Sequence, residues 1–484
     1  IRIMGVFQNS LMGAAAAAGG AAAADFYDYQ IANSVRLYRA GANSGSKLTR
    51  TPSSTGTSRK IYTLSTWIKR GGAGDIGQLM TAQESASTNY VDEFVIGSDS
   101  KIAFYGKGSN AGGAICIPSA LRRDHSAWYH IMLAVDTTQG TDTNRVKMYI
   151  NGELQTFASP TWPALNYEGG WGNNREMAIG WGTGANNGYP YDGLMAETIY
   201  IDGTAQAVTD LGETKNGVWI PKDPSGLTFG DNGFYLNYAS SGDLGNDVSG
   251  NNNDFALTNI AAHDQMLDSP TFGSSSSGNF CTMNPLSTTT QSSVTALEGN
   301  LFLDGSTTNP SNYEGGQLAT MGVRSGKWYW EVYLSGGGAA TTDRGWTNGI
   351  AATGNLGEIS GTYGPYPGGP QGNSYNFGSY GGQGIRFNDS TTSYGAGPAN
   401  TNIIGMALDL SSPGSGSLTI YINNSSQGVA VNGSIADAHW VPFVGAGGGS
   451  VSDYDSTVNF GQDSTFAGAK TAGGNADANG HGDF

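Results

Sequence analysis

Charge is scarce in this sequence. Asp, Glu, Lys and Arg make up 13% of its 484 residues, about half the share usual for a globular domain. The charge present leans acidic, with 23 basic against 39 acidic side chains and a formal net charge of −16. No run of Lys or Arg could track a phosphate backbone, so nucleic acid is not an expected partner. Two cysteines, Cys116 and Cys281, are too few for a disulfide framework and are compatible with assembly in a reducing cell. The longest apolar stretch, Leu11 to Ala24, is mostly Ala and Gly, too short and too weakly apolar to span a bilayer, and no basic region precedes it as an export signal requires. The five histidines, His125, His130, His263, His439 and His481, lack zinc-ligand spacing.

Glycine is abundant instead, at 76 residues, roughly twice average usage. With Asn, Ser and Thr it supplies the backbone angles of tight turns, which suits many short strands and very little helix. The clearest stretch is Ile403 to Asn424. Ile404, Met406 and Leu408 alternate, a Pro/Gly/Ser run follows, and Leu418, Ile420 and Ile422 resume the alternation, which describes two antiparallel strands with one wet face. Ile131, Leu133 and Val135, the turn DTTQGTDTN, then Val146, Met148 and Ile150 repeat the design. Further strands are expected at Ile61 to Ile68, Glu93 to Ile96, Ile102 to Tyr105, Met177 to Gly180 and Gly193 to Ile201. The length allows two domains. Residues 1–30 read as a Gly/Ala-rich arm, 31–221 as one β-sandwich, 222–296 as a connector in which DNGFYLNY can add a strand, and 297–484 as a second sandwich with a polar tail.

The segments LTRTPSS, LSTWIKR, SAWYHIMLAVDTT, NRVKMYINGEL and YDGLMAETIYIDG resemble, in order and spacing, the strands of a laminin G-like domain. SGKWYWEVYL, IGMALDLSSPGSGSLTIYINN, WVPFVG and VNFGQ resemble a SPRY (B30.2) domain. Both families imply concanavalin A-like, jelly-roll sandwiches, so the expected fold is all-β, two such antiparallel sandwiches in tandem behind an extended N-terminal arm. Within the second, Trp328, Trp330 and Val332 share one strand face and are expected in the core. Over the whole chain, the arm, DFYDYQ, GNDVSGNNNDFALTN and NPLS between the two domains resemble virion structural proteins of tailed bacteriophages, especially marine ones. The resemblance implies a tail fibre, spike or decoration protein, assembled in the host cytoplasm, carried on the virion surface, homotrimeric, and attached to other virion proteins through the arm. It also implies that the sequence continues beyond Phe484, and the missing initiator Met that it begins before Ile1.

Catalytic patterns are sparse. Glycosidases of this fold commonly carry Glu-x-Asp-x-Glu on one strand, which is absent. Asp92 and Glu93 would face opposite sides of a strand, and Glu197 and Asp202 stand five apart with Asp202 in a turn. There is no nucleophile elbow or Walker sequence, and GWGTGANNG opens no helix. Enzyme activity is not expected. Recognition would fall to loop aromatics: Trp162, Trp171, Trp181, Tyr189 and Tyr191 in the first sandwich, and Tyr363, Tyr366, Tyr375, Tyr380 and Tyr394 in the Gly-rich run of the second. Tyr offers contact area at low entropic cost, and a host surface glycan or receptor is the implied ligand; the alternative is that these rings cover their own loops or a neighbouring subunit. No cofactor is expected, with calcium as an alternative at Asp247, Ser249 and Asn251. Their spacing suits oxygen ligands, but no Gly follows at the sixth position and Thr258 stands where a bidentate Glu belongs, so an Asx-rich turn is the competing reading. A lectin-like receptor-binding protein and a polysaccharide-degrading enzyme remain as alternatives to a purely structural role.

Overall fold

A computed structural model describes the chain from residue 26 onward apart from 42–43, 73–75, 85–90, 107–112, 184–187, 273–276, 288–293, 306–314, 337–345, 353–373, 379–383, 388–389, 447–453 and 478–479. The arm up to residue 25, and Tyr363, Tyr366 and Tyr380, lie outside the described residues. The described regular structure is all strand, apart from single 3-10 turns such as Asp142–Asn144 and Val208–Asp210. The chain divides into two units, Ile1–Asn279 and Phe280–Phe484.

The first unit stacks two antiparallel sheets. One has the order Glu153–Leu154, Val146–Ile150, Trp128–Asp136, Ile61–Arg70, Gly193–Asp202, Ser34–Leu37, Gln265–Met266, with Phe234–Leu236 also paired to Gly193–Asp202. The other runs Ala256–Thr258, Lys47–Arg50, Met177–Ile179, Gly77–Gln83, Val91–Ile96, Ile102–Gly106, Ala114–Cys116. Alternation explains the core between them. Leu64 and Ile68, Ile131, Leu133 and Val135, and Val146, Met148 and Ile150 all point inward against Met80, Phe94, Ile102 and Ile179. The segment read as a connector is not a separate body. Through Asn279 it completes the first sandwich, adding Phe234–Leu236 to one sheet and Ala256–Thr258 to the other, while Ala296 enters the second unit's core.

The first hairpin departs from the one-wet-face reading. On the outer side of its sheet, Met132, Ala134, Ile199, Ile201 and Tyr235 are buried by Leu211 and Phe229, which belong to a roof spanning residues 203–230. The roof contains the hairpin Gly212–Lys215/Val218–Pro221. The strand Trp128–Asp136 is thereby covered on both faces over most of its length, whereas its hairpin partner Val146–Ile150 keeps the expected alternation, with Lys147 and Tyr149 half-buried on the outer side.

The second unit pairs Thr295–Leu297, Phe302–Asp304, Tyr454–Asn459, Lys327–Gly336, Ile403–Asp409, Gly416–Ile422 and Ser425–Ile435, in that order, and packs them on Gly315–Leu318, Trp440–Ala446, Thr347–Ala352, Ser374–Gly378, Gly384–Phe387 and Ser390–Ser393. The hairpin Ile404↔Ile422 to Leu408↔Leu418 forms as its alternation demands. Trp330 and Val332 are core, whereas Trp328 is 47% exposed and donates its Nε1–H to the Ser325 carbonyl. At Trp328 the strand pairs on one side only, with Leu408, the pairing with Tyr454–Asn459 beginning at Glu331, so the ring stands at the sheet's end half exposed. The C-terminal segment folds across the outer face, with Phe484 against Tyr329 and Phe466 against Tyr333.

Candidate functional site

Under the roof of the first unit lies a small pocket lined by Ser65, Trp67, His130, Glu197, Ile199, Leu211, Pro221, Lys222 and Pro224. Its acidic group owes its position to a β-bulge. The register with Ile61–Arg70 shifts between Ala196 and Ile199, and Glu197 takes φ +50° there, a conformation a non-glycine residue adopts only when its surroundings hold it. The Tyr29 hydroxyl donates to Glu197 Oε1 at 3.0 Å and lies 2.7 Å from the Tyr235 hydroxyl. Burial pushes the carboxyl up to about 7, against the opposing effect of the two phenols. Tyr29 comes from the DFYDYQ segment, which Asp28 also fixes through Lys215 at 3.0 Å.

His130 sits between Trp67 and Trp219, with ring centroids 5.0 and 5.9 Å away. Trp219 Nε1 approaches His130 Nδ1 at 3.1 Å, and Ser65 Oγ lies 2.8 Å from Nε2. An indole nitrogen only donates, so Nδ1 accepts and the imidazole proton resides on Nε2, which donates to Ser65. The nitrogen facing the hydroxyl is thus already protonated and cannot act as its base. Burial drops the imidazole to about 3.

Two further buried carboxylates are engaged within the fold. Asp92 points into the core, accepts from Gly170 N at 2.7 Å and the Tyr167 hydroxyl at 3.2 Å, and is raised to about 7 by burial. Asp202 accepts from Thr57 N, Ser58 N and Asn232 N. Asp92 and Glu197 belong to different sheets, Asp92 facing inward and Glu197 the outer pocket, so they do not form a facing pair.

Among the described residues, the proposed recognition aromatics do not gather. Trp171, Trp181 and Tyr191 are buried, as is Tyr375, which stacks on Phe387 at 4.5 Å. Trp162 is half-buried against Phe157, and the half-buried Tyr394 donates to the Gly428 carbonyl. Of the first-sandwich set, Tyr189 is the exposed ring, at 46%. Glycines explain the correction: Gly172 has φ +78°, and a Cβ there would collide with the Ser58 carbonyl, so the loop lies flat and turns Trp171 inward.

Asp247 accepts from Tyr235 N, Ser249 N, Ser249 Oγ and Asn253 N at 2.8–2.9 Å, and Asn251 Nδ2 donates to the Gly230 and Gly233 carbonyls. This is the Asx-rich turn, with the carboxylate engaged by donors instead of open to a cation. Asp247→Ala is expected to cost about 2–3 kcal/mol by stranding those buried donors, measured by denaturant unfolding, with the unfolding midpoint of the wild type unchanged by added calcium. Among the described residues no group of three or more His, Cys, Asp or Glu side chains converges on one point. The pocket itself left no trace in sequence spacing, since Ser65, His130, Glu197 and Trp219 are distant along the chain and Glu197 is placed by a bulge.

Residues 40–199 match the laminin G family model described as the concanavalin A-like lectin/glucanases superfamily, so this part of the chain is a laminin G-like, concanavalin A-like domain. Solved structures similar in fold include the SPRY domain of human HERC1, at 15% identity over 33% of this chain and 87% of that one with a TM-score of 0.26. They also include a heptameric SAP-like pentraxin from Limulus polyphemus, at 12% over 37% and 81% with 0.27, and a Ruminococcus gnavus sialidase CBM40 bound to α2,3-sialyllactose, at 16% over 28% and 73% with 0.23. No curated protein matches the chain.

Proposed function

We propose that this protein is a non-catalytic structural component displayed on the outside of a tailed-bacteriophage particle, a fibre, spike or decoration protein that assembles in the host cytoplasm and forms a homotrimer. The observation that carries the non-catalytic part is the roof. Leu211 and Phe229 of the 203–230 segment cover the outer side of one sheet, and the two titratable groups beneath it, Glu197 and His130, are engaged by Tyr29 and by Ser65 and Trp219. What the first unit offers is shape. The particle assignment rests on the order of sequence segments described above, and the arm's docking role on its root: Tyr27 is buried, Tyr29 is bonded to Glu197, and Ile31 N donates to Thr271 Oγ1 at 2.8 Å.

Deleting residues 1–25 is expected to leave both sandwiches folded and to abolish incorporation into particles, scored by mass spectrometry of purified virions. Normal incorporation refutes the arm's role. A second reading, attachment to a host surface glycan, is favoured by the exposure of Tyr189 and Trp328. On a glycan array, Tyr189→Ala and Trp328→Ala should each lower binding at least tenfold if these rings stack on sugar, and unchanged binding removes them.

A further inference from the structure

We propose that the first unit closes an intramolecular isopeptide bond between Lys69 and Asn279, with Asp268 as the proton carrier. Lys69 lies on the strand Ile61–Arg70, beside Trp128 and Leu194, and points outward because its neighbour Ile68 fills the core. The segment around Asp268 and Asn279 covers it, held by Ser269 N to the Gly278 carbonyl at 2.8 Å and Gly278 N to the Leu267 carbonyl at 3.2 Å. The Lys69 and Asp268 side chains are 2% and 0% exposed.

Three chemically complementary groups meet there. Lys69 Nζ is 2.7 Å from Asp268 Oδ2 and 2.9 Å from Asn279 Oδ1. Trp128 Nε1–H donates to Asp268 Oδ1 at 2.9 Å, and Asn279 Nδ2 donates to the Ser126 carbonyl at 3.0 Å. An ammonium only donates and a carbonyl only accepts, so these partners fix which side of the Asn279 amide faces the lysine. The hydrogen bond to Oδ1 holds the amine beside the adjoining amide carbon, from which attack requires it to close to roughly 3–3.5 Å.

The step balances without any outside reagent. Asp268 accepts a proton from the Lys69 ammonium, and the neutral amine adds to the Asn279 amide carbon. Asp268 then gives that proton to the departing nitrogen as the C–N bond breaks and takes the second proton from the newly bonded Lys69 nitrogen, so that ammonia leaves neutral and Asp268 ends protonated. Amine and primary amide become a secondary amide and one ammonia. The product also removes the charge on Lys69 that burial makes costly. The bond would span 210 positions of sequence, fastening the residue at which the chain leaves the first unit to a central strand of that unit.

The bland alternative is a buried ion pair capped by an asparagine, and mass decides between them. The purified full chain is expected to weigh one ammonia, about 17 Da, less than its sequence, and its digest to contain a branched peptide joining the segments around 69 and 279. Lys69→Arg and Asn279→Ala should each restore the full mass, as should Asp268→Asn. Full mass in the wild type with tryptic cleavage after Lys69 overturns the proposal. The same mass loss without a branched peptide, as a succinimide at Asn279 would give, overturns it too. A cross-link that persists in Asp268→Asn removes Asp268 from its role.

Discussion

Trp171→Ala should destabilise the first unit by about 3–5 kcal/mol, the cost of emptying a large aromatic site in a core that cannot collapse around the gap. Trp171 is fully buried, with its ring 5.0 Å from Tyr200, which in turn packs against Tyr62 and Phe234. Its loop cannot readily retreat, because Gly169 and Gly170 lie against Asp92 and the Ala82 carbonyl. Trp171→Phe should cost much less, since the indole Nε1 has no hydrogen-bond partner among the described residues and its loss offsets part of the lost packing. Denaturant unfolding of the two variants beside the wild type measures both. If Trp171 were a displayed contact residue, Trp171→Ala would leave stability within about 0.5 kcal/mol of wild type.

Glu197→Gln should stabilise the protein at pH 8 by up to about 3 kcal/mol and have little effect at pH 4. The folded-state carboxyl is raised from 4.5 to about 7, so the folded protein holds a proton that the unfolded chain releases between those values, and stability falls as pH rises through that window. Asp92, raised from 3.8 to about 7, acts in the same direction. His125 and His130, lowered from 6.5 to about 4 and about 3, act oppositely and favour the folded state as pH rises toward 6.5. In the wild type the two pairs largely cancel between about pH 4.5 and 6.5, leaving a decline above 6.5. Removing Glu197 should halve that decline. A variant that loses more stability at pH 8 than at pH 4 would mean that Tyr29 and Tyr235 hold the charged form more firmly than burial opposes it.

Both expectations concern features that local pattern does not report. The hairpins were legible because their alternation is carried by neighbouring residues: Ile131, Leu133 and Val135 pair with Ile150, Met148 and Val146, and Ile404 pairs with Ile422. The Asx turn at Asp247 was legible for the same reason. Met132 and Ala134 hinted at a second covered face, yet what covers it, Leu211 and Phe229, comes some 80 residues later. Trp171 was misplaced because a glycine-rich segment reads as an open loop, while the glycines at 169, 170 and 172 let that loop press its ring into the sandwich. Trp328 failed in the opposite direction, alternation continuing to a strand end where the sheet no longer covers it. The trio of Lys69, Asp268 and Asn279 joins residues 199 and 210 positions apart, which no spacing rule connects.

The account depends most on the protein being a displayed building element, and electron microscopy of intact particles with gold-labelled antibodies against residues 31–221 tests that directly. The account predicts label at regular positions on the particle exterior, lost when residues 1–25 are deleted. Particles that carry no label, while the protein is recovered only from the unassembled fraction, would contradict it.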